Sequence, residues 1–223
     1  MKITLVSLGC AKNLVDSEVM LGVLAEAGCR FTPDAAEADI VVINTCGFIR
    51  PARDEASAAI RDALRLKRTH GPKRVVIAGC FVERGKDALA ARFPEVDAWL
   101  GVKDFDKIAA VIRGEDVLPA AATFLYSHES PRVLSTPRGW AYLKISEGCS
   151  HACAFCAIPA IKGPYRSRPI ASIVAEARQR RLGLRLAGYQ RHHHSSAQDP
   201  RLAHQQVALQ VDLPRQIGPP LRQ

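Results

Sequence analysis

The chain has 223 residues, 48% of them hydrophobic, and a formal net charge of +9 at pH 7. This length and composition exclude a largely disordered protein and predict one domain of ordinary size, with room for part of a second. No apolar run approaches the ~18 residues of a membrane-spanning helix, so we expect no membrane partner. We expect a cytoplasmic location, where the seven cysteines would be thiols, metal ligands or redox groups rather than disulfides.

The positive charge lies mainly at one end of the chain. Residues 1–177 carry a net charge of +3, whereas residues 178–223 carry eight Arg, no Lys and two Asp, a net charge of +6. The part with regular helix and strand patterns is therefore nearly neutral, and we expect no nucleic-acid partner for it. A basic nucleic-acid-binding protein is an alternative that depends on residues 178–223 alone.

The N-terminal half alternates between strand and helix patterns. Strands are predicted at residues 2–8, 39–44, 74–78 and 98–100, and helices at 17–27, 51–70, 83–92 and 104–112. Asp16 is the predicted N-cap of the first helix and Gly28 its stop, while Pro51 suits the first turn of the second. Strands that are apolar throughout and alternate with helices predict an α/β fold, with an open, mostly parallel sheet covered by helices on both faces.

The rest of the chain is less regular. It starts with a stretch that has no sustained period, which we predict to be a linker. A strand is then predicted at 140–145 (WAYLKI) and a helix from about Ile170, and after about residue 178 the patterns stop. The final stretch is rich in Arg, His, Gln and Pro, and we expect it to be disordered. The predicted divisions are a first domain at 1–114, the linker at 115–138, a second segment at 139–178 and the tail at 179–223.

Three cysteines follow three successive predicted strands: Cys10 in SLGC, Cys46 in NTC and Cys80 in AGC. The carboxyl ends of parallel strands form one rim of an α/β sheet, where ligands collect, so we expect these thiols to converge. Three thiolates could hold a cubane iron–sulfur cluster and leave one iron open to an exogenous sulfur. Three buried structural cysteines are the alternative. Cys29, at a helix end, is predicted to be structural.

A second set of cysteines lies in one short loop, Cys149-Ser-His-Ala-Cys153-Ala-Phe-Cys156. Thiolates at these spacings can hold three corners of a [4Fe–4S] cube, and the fourth iron then stays free for a chelating ligand. The alternative is a zinc site that uses these cysteines with His151, although zinc is more often bound by paired Cys or Cys/His modules.

Several stretches resemble the radical-SAM methylthiotransferases, over about residues 1–178. They are SLGCAKNLVDSE (7–18), NTCGF (44–48), AGC (78–80), KISEGCSHACAFCAIP (144–159) and SRP (167–169). The first stretch is similar to the RimO branch, which modifies an aspartate of a small-subunit ribosomal protein. The tRNA-modifying MiaB branch usually has a Gln-Met-Asn form after the first cysteine, and it is the alternative within the family.

The resemblance implies two [4Fe–4S] clusters and S-adenosylmethionine as cofactors. It places the clusters on Cys10, Cys46 and Cys80 and on Cys149, Cys153 and Cys156, with the aromatic Phe155 beside the S-adenosylmethionine site. A 5′-deoxyadenosyl radical would remove a hydrogen from the β-carbon of aspartate, and the first cluster would supply a methylated sulfur. The implied partners are the ribosomal protein, a sulfur donor and an electron donor.

The chain also departs from this family. Family members are about twice as long and contain a full radical-SAM barrel and a C-terminal β domain. Only 84 residues follow Gly139, and a βα unit takes roughly 30, so we expect only the start of the barrel. A reading-frame shift near Arg178 would explain the change in composition. We expect the 223-residue chain to be inactive alone; a non-catalytic iron–sulfur-binding module is a further alternative.

Overall fold

The structure, a computed structural model, describes residues 1–69, 71–115, 117, 124–137 and 140–179. The strands are β1 (Lys2–Ser7), β2 (Arg30–Phe31), β3 (Ile40–Thr45), β4 (Arg74–Gly79), β5 (Ala98–Leu100), β6 (Ser146–Glu147) and β7 (Arg166–Ser167). The helices are α1 (Ala11–Glu26), α2 (Arg50–Thr69), α3 (Cys80–Arg92), α4 (Ile108–Arg113), α5 (Ile158–Lys162) and α6 (Ile170–Gln179), with a 3₁₀ turn at Phe105–Lys107.

The first five strands form one parallel sheet in the order β2-β1-β3-β4-β5. Helices α1 and α4 cover one face, where Met20 and Ile108 are fully buried, and α2 and α3 cover the other, where Ile60 is fully buried. Side chains of the central strand β3 alternate between the two faces, so Val42 packs with α1 and Ile43 with α2. The predicted α/β fold with a parallel sheet covered on both faces is therefore confirmed.

Two local predictions about the first domain are wrong. Helix α1 begins at Ala11 with Cys10 as its N-cap, so Asp16 lies in the middle of the helix instead of capping it. Helix α3 begins at Cys80 rather than at residue 83, and its backbone is non-helical at Gly85. The sheet also has a fifth strand, β2, whose two residues are too few to give a strand pattern.

The predicted strand at 140–145 is also wrong. These residues form neither strand nor helix; the next strand is β6, which pairs antiparallel with β7. The alternating pattern of WAYLKI is typical of a strand, but its lysine is used differently. The Lys144 side chain is buried against α1, where its Nζ lies 2.6 Å from Asp16 Oδ1. Lys144 therefore forms an ion pair with helix α1, and residues 140–145 do not pair as the predicted β-strand.

The predicted helix near Ile170 is present as α6. The tail predicted to be disordered lies outside the described residues, except for Gln179. Among the helices that the structure describes, none combines the length and the apolar character needed to span a membrane.

Candidate iron–sulfur sites

Cys10, Cys46 and Cys80, here called the first triplet, lie at one rim of the parallel sheet. They follow β1, β3 and β4, which are neighbours in the sheet. Cys10 is the N-cap of α1, Cys46 directly follows β3, and Cys80 directly follows β4 as the first residue of α3. The arrangement thus brings three thiols to the carboxyl ends of adjacent strands.

Glycines let the three cysteine loops touch each other. A Cβ at Gly9, whose φ is +93°, would lie 2.6 Å from the Cβ of Cys46. A Cβ at Gly47 would lie 2.8 Å from the carbonyl oxygen of Cys80. Real Cβ atoms do not approach other atoms so closely, so only glycine fits at these two positions. The loops of the first triplet therefore pack in direct contact at two places, Gly9 against the Cys46 side chain and Gly47 against the backbone at Cys80.

Two buried asparagines tie the turn between β1 and α1 to the end of β3. The Asn13 Nδ2 donates to the carbonyl oxygens of Leu8 (2.6 Å) and Asn44 (3.3 Å). The Asn44 Nδ2 donates in return to the Asn13 carbonyl oxygen (3.0 Å) and to Ser17 Oγ (2.8 Å). A buried network of this kind holds the loops in one geometry, because breaking any member leaves polar groups unpaired.

The thiols of the first triplet differ in exposure. Cys10 is exposed, whereas Cys46 and Cys80 are partly buried. Burial raises the pKa of Cys46, and it raises the pKa of Cys80 to about 12 although the nearby Lys162 charge acts in the opposite direction. Free thiols at these two positions are therefore protonated at neutral pH. Iron binding must displace their protons, so it is favoured as the pH rises.

Cys149, Cys153 and Cys156, here called the second triplet, lie in the loop between β6 and α5. The Cys149 N–H donates to the Gly163 carbonyl oxygen (3.1 Å), and the Cys156 N–H donates to the Cys153 carbonyl oxygen (3.1 Å). Cys153 is exposed and the other two are partly buried. The first bond ties the start of the loop to the residue after α5, and the second closes a turn within the loop.

Phe155 lies within the loop of the second triplet and is 88% exposed. Its ring is therefore available to a ligand bound at the loop.

Within the described part of the chain, no three His, Cys, Asp or Glu side chains form a group that could hold a single metal ion. A cubane cluster makes a different demand, because each thiolate binds a different iron atom. The three cysteines of the first triplet, which lie on separate loops, are a donor set that suits such a cluster.

The two triplets lie on elements that pack together. Helix α5 follows Cys156 after one residue and packs against α3, whose first residue is Cys80. Its last residue, Lys162, is buried and precedes the Gly163 that accepts from the Cys149 N–H. One short helix therefore connects the loop of the second triplet to the rim of the first.

A buried group of four charges fixes this contact. Asp16 Oδ1 accepts from Lys144 Nζ (2.6 Å) and Asp16 Oδ2 from Lys162 Nζ (2.9 Å). Glu147 forms an ion pair with Lys144, and its Oε1 lies 3.7 Å from Lys162 Nζ. Burial alone would raise the pKa of Asp16, but the two ammonium groups outweigh it and hold the pKa below its ordinary value. We call these four residues the lysine tetrad.

A second buried network lies beside the lysine tetrad. Arg132 donates to Glu18 Oε2 (2.9 and 2.5 Å) and to Glu176 Oε1 (2.7 Å). Arg168 donates to Glu176 Oε2 (2.6 Å). The side chains of these four residues are at most 1% exposed. Asp16 and Glu18 both belong to α1, so buried carboxylates of this helix bind Arg132 of the linker and Lys144 and Lys162 of the second segment.

The chain is similar in sequence to one family model and to several curated proteins. Residues 2–101 match the family described as "Uncharacterized protein family UPF0004". The chain is 45% identical over 182 residues to the ribosomal protein uS12 methylthiotransferase RimO of Trichlorobacter lovleyi. It is 47% identical over 181 residues to the RimO of Sorangium cellulosum and 46% identical over 179 residues to that of an Anaeromyxobacter species.

By sequence, the chain is similar to the RimO methylthiotransferases over about four fifths of its length. The matches cover 79%, 80% and 79% of this chain but 40%, 37% and 38% of the three relatives. The chain thus spans about two fifths of the length of the RimO proteins that it matches. The predicted resemblance to this family is confirmed.

Two solved structures of a radical S-adenosylmethionine methyltransferase, TsrM from Kitasatospora setae, share the fold. One contains cobalamin and a [4Fe–4S] cluster, with a TM-score of 0.53 and 19% identity; the other contains tryptophan and a SAM analogue, with a TM-score of 0.50 and 17% identity. Each match covers 80% of this chain and 45% of TsrM. At such low identity the likeness shows the fold alone.

Sequence reasoning missed both buried charge networks, although the RimO-like stretches contained a signal. Asp16 and Glu18 lie in the first of these stretches, and Lys144 and Glu147 lie in the fourth. Charged residues inside an otherwise apolar helix pattern are seldom fully buried unless they are paired. The apolar periodicity around Asp16 therefore indicated a buried partner, but it did not say which residue that partner is.

Proposed function

We propose that residues 1–179 form the two-cluster part of a radical-SAM methylthiotransferase that acts on a ribosomal protein. The reaction adds a methylthio group to the β-carbon of an aspartate in the small-subunit protein uS12. This ribosomal protein is the one that appears in the names of the curated relatives. Such a substrate implies action in the cytoplasm. The finding that best supports this proposal is the presence of two cysteine triplets on packed elements, α3 and the loop that leads into α5.

The first triplet would hold a [4Fe–4S] cluster with one iron open to a sulfur donor. The second triplet would hold a [4Fe–4S] cluster whose open iron binds S-adenosylmethionine, with Phe155 beside the cofactor. When bound, these groups and an external electron donor supply the radical and the transferred sulfur. The chain's own contribution is to orient both sites, through the asparagine network at the rim and the lysine tetrad at α5.

A chimeric enzyme tests the proposed function. Residues 1–179 would be joined to the remaining C-terminal part of the RimO of Trichlorobacter lovleyi, which is 45% identical to this chain over the matched region. We expect the reconstituted chimera to modify uS12, since it would carry both cluster sites and a complete barrel. Mass spectrometry of uS12 after anaerobic incubation with reductant, sulfide and S-adenosylmethionine would detect the methylthio adduct.

Two variants of the chimera separate the proposed roles of the triplets. Cys46→Ala should keep cleavage of S-adenosylmethionine to 5′-deoxyadenosine but lose sulfur transfer, whereas Cys153→Ala should lose both. A chimera that binds iron but leaves S-adenosylmethionine intact would instead indicate a non-catalytic iron–sulfur module. Modification of a tRNA in place of uS12 would assign the chain to the other branch of the family.

A further inference from the structure

A basic pocket lies between α2 and α3, close to the rim that carries the first triplet. Its volume is about 330 Å³. Within the described chain it is lined by four arginines, two from the first turn of α2 and two from α3: Arg50, Arg53, Arg84 and Arg92. Among the described residues that line it, Asp54 is the only one with a carboxylate. We call this cavity the arginine pocket.

Most of the positive charge in the arginine pocket is not neutralised. In the part of the chain that the structure describes, no carboxylate forms an ion pair with Arg53, Arg84 or Arg92. Arg50 is paired only loosely, since its Nε lies 3.9 Å from Asp54 Oδ2 and both side chains are largely exposed. Helix α2 begins in this pocket, so the positive end of its dipole adds to the same charge. The pocket therefore favours an anionic ligand.

Arg84 is held in an orientation that suits an anion. Its Nη1 donates to the carbonyl oxygens of Gly47 (3.0 Å) and Phe48 (3.2 Å), in the loop that follows Cys46. Its Nε and Nη2 have no hydrogen-bond partner among the described residues. A guanidinium group fixed at one end can use its other two donors to bind two oxygens of one anion. Arg84 thus connects the pocket to the rim of the first triplet.

Aromatic side chains at the pocket favour a nucleic-acid strand over other anions. Phe81 lines the pocket and directly follows Cys80, and Phe48 is 37% exposed. Basic groups combined with accessible aromatic rings are typical of sites for single-stranded nucleic acid, because bases stack on the rings while phosphates bind the cations. An acidic peptide would also bind the arginines, but it has no flat base to stack on the rings.

We propose that the arginine pocket binds phosphate groups of a single-stranded RNA segment beside the first triplet. The choice of RNA rests on the proposed function, since a ribosomal protein is found together with RNA, whereas the charge and shape of the pocket do not depend on that function. The net charge of +3 on residues 1–177, which predicted no nucleic-acid partner, is an average that does not reveal such a local group. The pocket would hold the substrate complex beside the proposed sulfur-transfer site.

Binding of a fluorescently labelled oligouridylate to the 223-residue chain, in reducing buffer without iron, tests the proposal. Arg53→Gln combined with Arg92→Gln removes one charge from each helix of the pocket. We expect the affinity for RNA to fall about tenfold or more, because two charge-assisted phosphate contacts are lost. The slope of log K against log salt should decrease by about 1.4, since each contact with a single strand contributes about 0.7. Fluorescence anisotropy at several salt concentrations would measure both quantities.

The matched control, Arg30→Gln combined with Arg61→Gln, removes two charges outside the pocket. Both of these arginines are exposed, and the basic residues after 178 are the same in every variant. The affinity and the salt slope of the control should therefore stay near those of the parent. Neither Arg53 nor Arg92 is buried, so circular dichroism should show the parent fold in both double variants.

Pyrophosphate and polyglutamate distinguish RNA from other sources of negative charge. Both should bind the parent much more weakly than the oligouridylate. Absence of RNA binding by the parent, or equal losses in the two double variants, would overturn the proposal. Unchanged RNA binding in the pocket variant, with loss of pyrophosphate or polyglutamate binding instead, would overturn it and assign the pocket to that anion. These measurements use the chain without clusters, so their failure is distinct from a failure of the chimera to modify uS12.

Discussion

Replacing Asp16 by alanine is expected to destabilise the chain by about 3–5 kcal/mol, the usual cost of breaking a buried ion pair on one side. The substitution leaves the ammonium groups of Lys144 and Lys162 buried with Glu147 as their common carboxylate. It also separates the loop of the second triplet from α1. Urea unfolding followed by circular dichroism would measure the loss.

Asp62→Ala is the matched control for this prediction. Asp62 pairs with Arg65 on the surface of α2 and is 64% exposed, so its removal should leave the unfolding midpoint almost unchanged. If both variants unfolded at the same urea concentration as the parent, Asp16 would not stabilise the contact between α1 and the second segment.

The pH dependence of stability should follow the same charges. The pKa of Asp16 lies below its ordinary value of 3.8 and that of Glu176 below 4.5, because burial is outweighed by the lysines in the first case and by Arg168 and Arg132 in the second. The ion pairs of Asp16 and Glu176 contribute fully to the free energy of unfolding at pH values above these ordinary pKa values. This free energy should therefore fall as the pH is lowered from the ordinary pKa values to the folded-state pKa values. In Asp16→Ala this fall should be shallower than in the parent.

The 223-residue chain by itself is expected to give no methylthiolated product. Hydrogen abstraction and sulfur transfer require the substrate carbon, the 5′-carbon and the sulfur donor to be aligned, and small misplacements cost orders of magnitude in rate. In this chain Cys153 is exposed and Phe155 is 88% exposed, so the second triplet is open to water on its outer side. We expect at most slow, uncoupled cleavage of S-adenosylmethionine.

An anaerobic assay with reductant, sulfide and uS12, followed by mass spectrometry, checks this expectation. The chimera serves as the positive control, since it joins the C-terminal part of a RimO protein to the same residues 1–179. Catalytic turnover by the 223-residue chain would mean that the second triplet supports the reaction without further residues to cover its exposed loop.

The sheet could be predicted because its signals are local. Residues 40–43 of β3 are apolar on both faces, which is typical of a central parallel strand, and Pro51 lies at the start of α2 as expected. The placement of the first triplet at one rim then follows from the strand order. The first-triplet positions were thus available from the sequence, while their role as cluster ligands stays a proposal.

The contact between the two segments could not be predicted, because its partners are far apart in the chain. Asp16 meets Lys144 and Lys162 across 128 and 146 residues. A single acidic residue before an apolar helix pattern favours an N-cap on local grounds, and tertiary pairing overrides that preference here. The same pairing explains why the strand pattern at 140–145 failed.

Iron and acid-labile sulfide analysis of three reconstituted chains tests most directly whether the two triplets bind two separate clusters. The chains are the parent, a variant with alanine at the first triplet, and a variant with alanine at the second. We expect about eight iron and eight sulfide per parent chain and about four of each in either variant. Loss of all iron on removal of one triplet, or zinc in place of iron, would contradict two independent cluster sites.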